Sequence, residues 1–168
     1  MKELVLGAGH TSNKYLTLDG SNKYHSPVTL DINPLCNPDV VWNLNDRPLP
    51  FKDEEFDEIH AYEVLEHIGV QGDYRGFFSE FSEYFRILKK GGHLCASVPK
   101  WDSIWAWGDP SHTRIINAGT LSFLSQEAYK SQLGRTAMAD FREIYKADFK
   151  CVHSSVEKDN YFFILEKV

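Results

Sequence analysis

Between Asp73 and Lys90 the residues Tyr74, Phe77, Phe78, Phe81, Tyr84, Phe85 and Leu88 recur at intervals of three and four. That spacing puts a wide aromatic stripe on one side of a helix, and Gly91-Gly92 is the expected stop. A short apolar run stands on each side of it, at Glu58–Tyr62 and at His93–Val98. Runs of this length read as buried strands. A strand, an amphipathic helix and a second strand in succession constrain the chain to a layered α/β architecture.

The rest of the sequence extends that pattern. Leu4–Leu6 is a first strand closed by Gly7-Ala8-Gly9, Pro27–Ile32 a second closed by Asp31 and Asn33-Pro34, and Val40–Trp42 a third. Phe149–Val156 and Tyr161–Val168 bracket Glu157–Asn160 as an antiparallel hairpin. The expected fold is therefore one domain spanning residues 1–168, with a mostly parallel sheet and an antiparallel edge. Thr120–Ser131 is expected to be helical, with Thr120 or Ser122 as its cap. Lys100–Ala118 has no clear period and carries Trp101, Trp105 and Trp107, so it reads as a binding loop or lid.

Composition narrows the partners. The net charge of −6 disfavours a polyanion such as nucleic acid as a partner, and a small molecule is the favoured one. Cys36, Cys95 and Cys151 are odd in number and widely spaced, which suits a reducing compartment rather than a disulfide framework. No signal-peptide pattern and no apolar run of about 20 residues occurs, so the expectation is a cytoplasmic protein without a membrane span. Oligomeric state is left open.

Two features point to a nucleoside-containing cofactor. Gly7-x-Gly9 follows the first strand, where glycines let backbone approach a ligand, and Asp31 ends the second, where an acid can hold both ribose hydroxyls. The dinucleotide fingerprint fails, because Ser12 stands at its third glycine, and neither a phosphate-binding P-loop nor a Tyr-x-x-x-Lys pair is present.

In order and spacing, LVLGAG, LDIN, LPF…FDEIHAYEVLEHI and ILKKGGHLCASVP resemble the class I S-adenosylmethionine-dependent methyltransferases. The resemblance implies a Rossmann-like methyltransferase fold with a seven-stranded, mostly parallel sheet and a C-terminal antiparallel hairpin. It implies S-adenosyl-L-methionine as cofactor. Gly7, Ala8 and Gly9 would pass under its methionine part, with His10 counted among the cofactor-binding residues. Asp31 would bind the ribose, Ile32 would pack on the adenine, and Asn43 or Leu44 would sit near its amino group. Ala61, Tyr62 and Glu63 would line the floor beside the methyl. Departures are Val5, where the family has an acid, Thr11 at a glycine position, Asn43 where an acid is common, and a short or missing first helix within His10–Ser26.

Glu63, Glu66 and His67 follow the fourth strand at i, i+3 and i+4, and would share a face if a helix began there. Such ligands suit a divalent metal, and the E-x-x-E-H spacing also resembles the metal site of small-RNA 2′-O-methyltransferases and ubiquinone-pathway O-methyltransferases, with His112 as a further ligand. The candidate metal set is Glu63, Glu66, His67 and His112; helix scaffolding is the other reading. Without metal, His112 is the candidate general base or pocket residue, and Asp109 either orients it or opens a turn at Asp109-Pro110. Arg114 either clamps an anionic substrate or pairs with a surface acid. The expected activity is methyl transfer to an unidentified O- or N-nucleophile; the alternative is an inactive cofactor-binding regulatory or partner domain.

Overall fold

A computed structural model describes residues 1–10, 13–18 and 20–168; the displaced glycine positions Thr11 and Ser12, and Asp19, lie outside the described residues. The strands are β1 (Glu3–Leu6), β2 (Val28–Asp31), β3 (Val40–Val41), β4 (Phe56–Tyr62), β5 (Leu88–Pro99), β6 (Phe149–Glu157) and β7 (Asn160–Lys167). The helices are α1 (Tyr74–Ile87), α2 (Ile104–Gly108), α3 (Ala118–Ser122) and α4 (Gln126–Gln132). All seven strands join one sheet in the order β3-β2-β1-β4-β5-β7-β6. Pairing is parallel from β3 to β5, whereas β7 runs antiparallel to both β5 and β6. This is the expected α/β, mostly parallel sheet with a terminal antiparallel hairpin.

Strand order reverses between β2 and β4, on either side of β1. In open α/β sheets the crevice at such a switch point is where ligands bind. One sheet face carries the core: Leu4, Leu6, Ile59, Leu94 and Ala96 pack with the buried Phe78, Phe81, Tyr84 and Ile87 of α1. Each such large side chain contributes about 1.5–3 kcal/mol by leaving water. Asp73 caps α1, its carboxylate accepting from the Gly76 N–H at 3.0 Å.

Two local expectations are corrected. The helix ends at Ile87, and Gly91-Gly92 lies inside β5. There the register jumps from Phe56↔Leu88 to Glu58↔His93, so the glycines turn a bulge instead of ending a helix. A Cβ on Gly92 would stand 2.8 Å from the Lys89 carbonyl oxygen. Residues 120–131 form no single helix: Asn117 caps α3 and Ser125 caps α4, while Thr120 and Ser122 lie within α3. Among the described residues between β1 and β2 there is no helix. Among the described residues, no helix is long and apolar enough to cross a membrane.

Candidate active site

At the carboxyl end of β1, Gly7 and Gly9 adopt positive φ of 59° and 56°. Gly7 also permits a close approach, since a Cβ there would lie 2.5 Å from Val64 Cγ2. The Gly9 N–H donates to Asp31 Oδ2 at 2.9 Å, and the Asn33 N–H to Oδ1 at 2.8 Å. Asp31 is thereby held at the end of β2 with lone pairs left on both oxygens, which is what binding two ribose hydroxyls requires. Gly7, Asp31, Ile32, Asn43, Leu44 and Val64 line a cleft of about 340 Å³. Ile32 is 63% exposed on its rim, an apolar surface free to cover a ring.

A second cleft, of about 130 Å³, opens on the other side of Gly7 and is lined by Ala8, Tyr62 and Glu63 among others. Of the residues expected around the cofactor, Gly9, His10 and Ala61 line neither cleft. The Ala61 side chain is fully buried in the core, because alternation along β4 puts its neighbours His60 and Tyr62 on the opposite face and turns Ala61 toward α1. His10 is exposed and lines neither cleft; its Nε2 lies 3.9 Å from Cys36 Sγ.

No α-helix begins at the end of β4. Glu63 has φ 54°, a left-handed conformation for a residue with a side chain, and the chain then makes one 3-10 turn at Leu65–His67. Residues 111–114 zip onto that turn. The Thr113 N–H and hydroxyl donate to the Glu66 carbonyl at 2.9 and 3.2 Å, and Arg114 Nε donates to the Leu65 carbonyl at 2.8 Å. The two segments bring Glu66, His67 and His112 together although they share no helix face.

The imidazoles are oriented by carbonyl groups. His67 Nδ1 lies 3.2 Å from the Ser111 oxygen and His112 Nδ1 lies 2.8 Å from the Trp105 oxygen. A carbonyl only accepts, so each Nδ1 carries the proton of its contact, and Nε2 is the ring atom left to face Glu66. Both Nε2 atoms lie 3.9 Å from Glu66 Oε1, with the ring centres 4.7 Å apart. Both carboxylate oxygens of Glu66 are buried without a hydrogen-bond partner. Burial pushes its carboxyl up to about 8, and the charge of nearby Glu63 acts in the same direction.

Glu63 stands apart from this group. Its Oε1 accepts from Ser97 Oγ at 2.6 Å and its carboxyl is raised by burial, so it belongs to the smaller cleft. Of the four candidate ligands, Glu66, His67 and His112 have ligand atoms within 4.8 Å of one another and Glu63 does not join them, which corrects the four-residue set. Asp109 opens a turn: its Oδ1 accepts from the Ser111 N–H and hydroxyl at 2.8 and 2.6 Å, which hold its carboxyl below the usual range. Its Oδ2 is 3.8 Å from His112 Nε2, so the Trp105 carbonyl, and not Asp109, fixes the tautomer.

Arg114 does not pair with an acid at the surface. It is buried and forms a bidentate pair with Glu80 at 2.7 and 2.8 Å. Trp101 packs edge-on against Tyr161 at 5.7 Å, while Trp105 and Trp107 project from α2 into solvent. The carbonyl groups of Trp105 and Ser111 were not foreseeable, since no side-chain type marks a backbone acceptor.

Residues 13–96, half of the chain, match the family model described as a methyltransferase domain. No curated protein matches the sequence. Among solved structures, a SAM-dependent methyltransferase from Archaeoglobus fulgidus superposes with a TM-score of 0.61 at 16% identity, over 99% of this chain and 86% of that one. The complex between the Haloferax volcanii Trm112 methyltransferase activator and a putative methyltransferase gives 0.62 at 16%, over 99% and 82%. The N-methyltransferase NodS from Bradyrhizobium japonicum WM9, in complex with S-adenosyl-L-homocysteine, gives 0.57 at 12%, over 99% and 77%. At these identities the likeness to the solved structures is one of fold.

Proposed function

The chain belongs to the methyltransferase-domain family of class I S-adenosylmethionine-dependent enzymes, and on that footing we propose that it methylates an oxygen or nitrogen of a small molecule presented to Glu66, His67 and His112. The observation that carries this reading is the adjacency of a nucleoside-sized cleft, anchored by Asp31, to a buried carboxylate faced by two imidazole Nε2 atoms. His67 lines the cleft as well as joining the cluster.

The residues fit the cofactor. Asp31 offers two carboxylate oxygens to the ribose, Ile32 and Leu44 offer apolar walls to the base, and Gly7 removes the side chain that would block the path between the clefts. Bound S-adenosylmethionine supplies a methyl group on a sulfonium, which leaves as a neutral thioether. The chain's own task is mainly to hold the acceptor in line, an effect that can supply most of the acceleration. His112 Nε2 accepts the acceptor's proton, and the Trp105 carbonyl stabilises the imidazolium that results. The acidic chain supports a small-molecule acceptor over a polyanion.

A second reading is supported by Glu66 itself. A buried carboxylate with no partner is costly unless something neutralises it. Glu66, His67 and His112 form an oxygen and nitrogen donor set suited to a divalent cation, and the two Nδ1–carbonyl bonds are the outer contacts that orient histidine ligands. A cation held there would lower the pKa of an acceptor hydroxyl.

The test is transfer of tritiated methyl from S-adenosylmethionine to fractionated small molecules, proteins and RNA. Label in a small-molecule fraction, lost in His112→Ala, supports the proposal. Cofactor binding without transfer to any fraction would instead favour the inactive partner domain. Activity that persists in EDTA with no bound metal disposes of the cation.

A further inference from the structure

The sheet does not absorb the whole aromatic stripe of α1. Phe78, Phe81 and Tyr84 are buried in the core, whereas Phe77 is half-buried and Tyr74, in the first turn, is 44% exposed. The chain that covers this end of α1 is irregular. Among the described residues no helix or strand forms between α4 and β6, and Phe141 of that stretch comes down on α1. The cover is incomplete. It leaves a pocket of about 250 Å³ bounded by Tyr74, Phe77, Phe78, Phe123 and Phe141, with Val70 exposed on its rim.

The chemistry of this pocket is that of ring faces and edges. The ring centre of Phe141 lies 5.3 Å from that of Tyr74, 5.2 Å from Phe78 and 5.8 Å from Phe123. At such spacings edge-to-face and offset ring contacts stabilise beyond the area they bury, and a guest ring can make the same contacts. Arg114 also lines the pocket, its guanidinium 5.8 Å from the Phe77 ring centre. Glu80 balances its charge and Asp73 is engaged as the cap of α1, so the lining calls for no ionic ligand. The guanidinium plane remains a surface on which a flat ring can stack. Gln71 Oε1 accepts from the Ile115 N–H at 2.9 Å, which leaves the amide N–H groups of Gln71 for one polar edge of a guest. An apolar cavity of about 150 Å³ takes a single benzene ring, so this larger volume suits two fused rings.

The pocket shares no lining residue with either cleft beside Gly7. Backbone bonds nevertheless tie its rim to the turn that carries Glu66: the Gln71 N–H donates to the Thr113 carbonyl at 2.9 Å, and the Thr113 N–H to the Glu66 carbonyl at 2.9 Å. We propose that this pocket is a second ligand site, separate from the cofactor cleft, for an uncharged planar molecule of about two fused aromatic rings. The inference stands on the pocket's own lining and not on the methyltransferase reading of the Asp31 cleft.

The test titrates the full chain with indole and with cyclohexylmethanol, a saturated probe of similar size, and follows backbone amide chemical shifts. Indole should bind with a Kd of about 1 mM or below, and about fivefold or more tighter than cyclohexylmethanol. The largest shifts should fall at residues 70–78, 114–123 and 141. Phe141→Ala should weaken indole about fivefold or more, since it removes the ring that touches three others. Should Phe141→Ala fail to fold, Tyr74→Ala decides, because Tyr74 is partly exposed; a loss of about threefold or more is expected. No indole binding to the native protein overturns the site. Equal affinity for the two probes overturns its aromatic character. Shifts centred on Gly7 and Asp31, or an affinity that the substitution leaves unchanged, show that indole binds elsewhere and overturn the proposal.

Discussion

His112 donates its Nδ1 proton to the carbonyl oxygen of Trp105 at 2.8 Å, and this one bond turns its Nε2 toward Glu66. The contact uses the backbone of Trp105, whose ring is 60% exposed. The two residues should therefore respond oppositely to substitution. His112→Ala is expected to lower kcat by about 10²-fold or more, with little change in cofactor affinity. Trp105→Ala keeps the carbonyl, and the stability of the fold should stay within about 0.5 kcal/mol. Steady-state kinetics and a urea titration check both.

Glu66 makes stability depend on pH. Its folded pKa is raised from 4.5 to about 8. Between those values the folded state keeps a proton that the unfolded state has lost, so stability falls as pH rises through the window. In EDTA, the native protein should lose stability from pH 5 to pH 8 more steeply than Glu66→Gln, by up to about 1.4 kcal/mol per pH unit. Thermal melts across that range measure the difference; parallel pH profiles would contradict the assignment.

Arg114 and Glu80 form a buried bidentate pair that also holds the Leu65 carbonyl, and so the base of the Leu65–His67 turn. Removing Arg114 leaves the buried Glu80 with only the more distant Arg47, at 3.6 Å, and the Tyr84 hydroxyl, at 2.9 Å. Arg114→Met is expected to cost about 3–5 kcal/mol, and adding Glu80→Gln should recover part of that. Denaturant unfolding of the single and double variants tests this, and additive losses would contradict it.

Which of these features the sequence could disclose follows from their physics. The sheet was legible because apolar runs closed by glycine or Asp31 have a short period and clear ends, and the aromatic stripe of α1 has few alternative explanations. Glu66, His67 and His112 were legible as residues but not as a geometry. Their convergence depends on the left-handed turn at Glu63 and on the pairing of residues 111–114 with 65–67, both set by tertiary contacts. Arg114 stood open between a substrate clamp and a surface pair because its partner Glu80 lies 34 residues away on α1.

Gly7 tests the path between the two clefts. An added methyl would meet Val64 Cγ2 at 2.5 Å and would need the unfavourable φ of 59°. Gly7→Ala should abolish measurable S-adenosylhomocysteine binding, and Gly7→Ala with Val64→Ala should regain part of it, because only the steric component is relieved. Equal binding by Gly7→Ala and the native protein would show that nothing passes this residue.

The most direct test of the whole account is calorimetric titration of S-adenosylhomocysteine into the native protein and into Asp31→Ala. One saturable site per chain is predicted for the native protein. The loss of two charged hydrogen bonds to the ribose should weaken it by about 10²-fold or more in the variant. No binding to the native protein, or identical binding to both, would contradict the cofactor site on which the proposed methyl transfer depends.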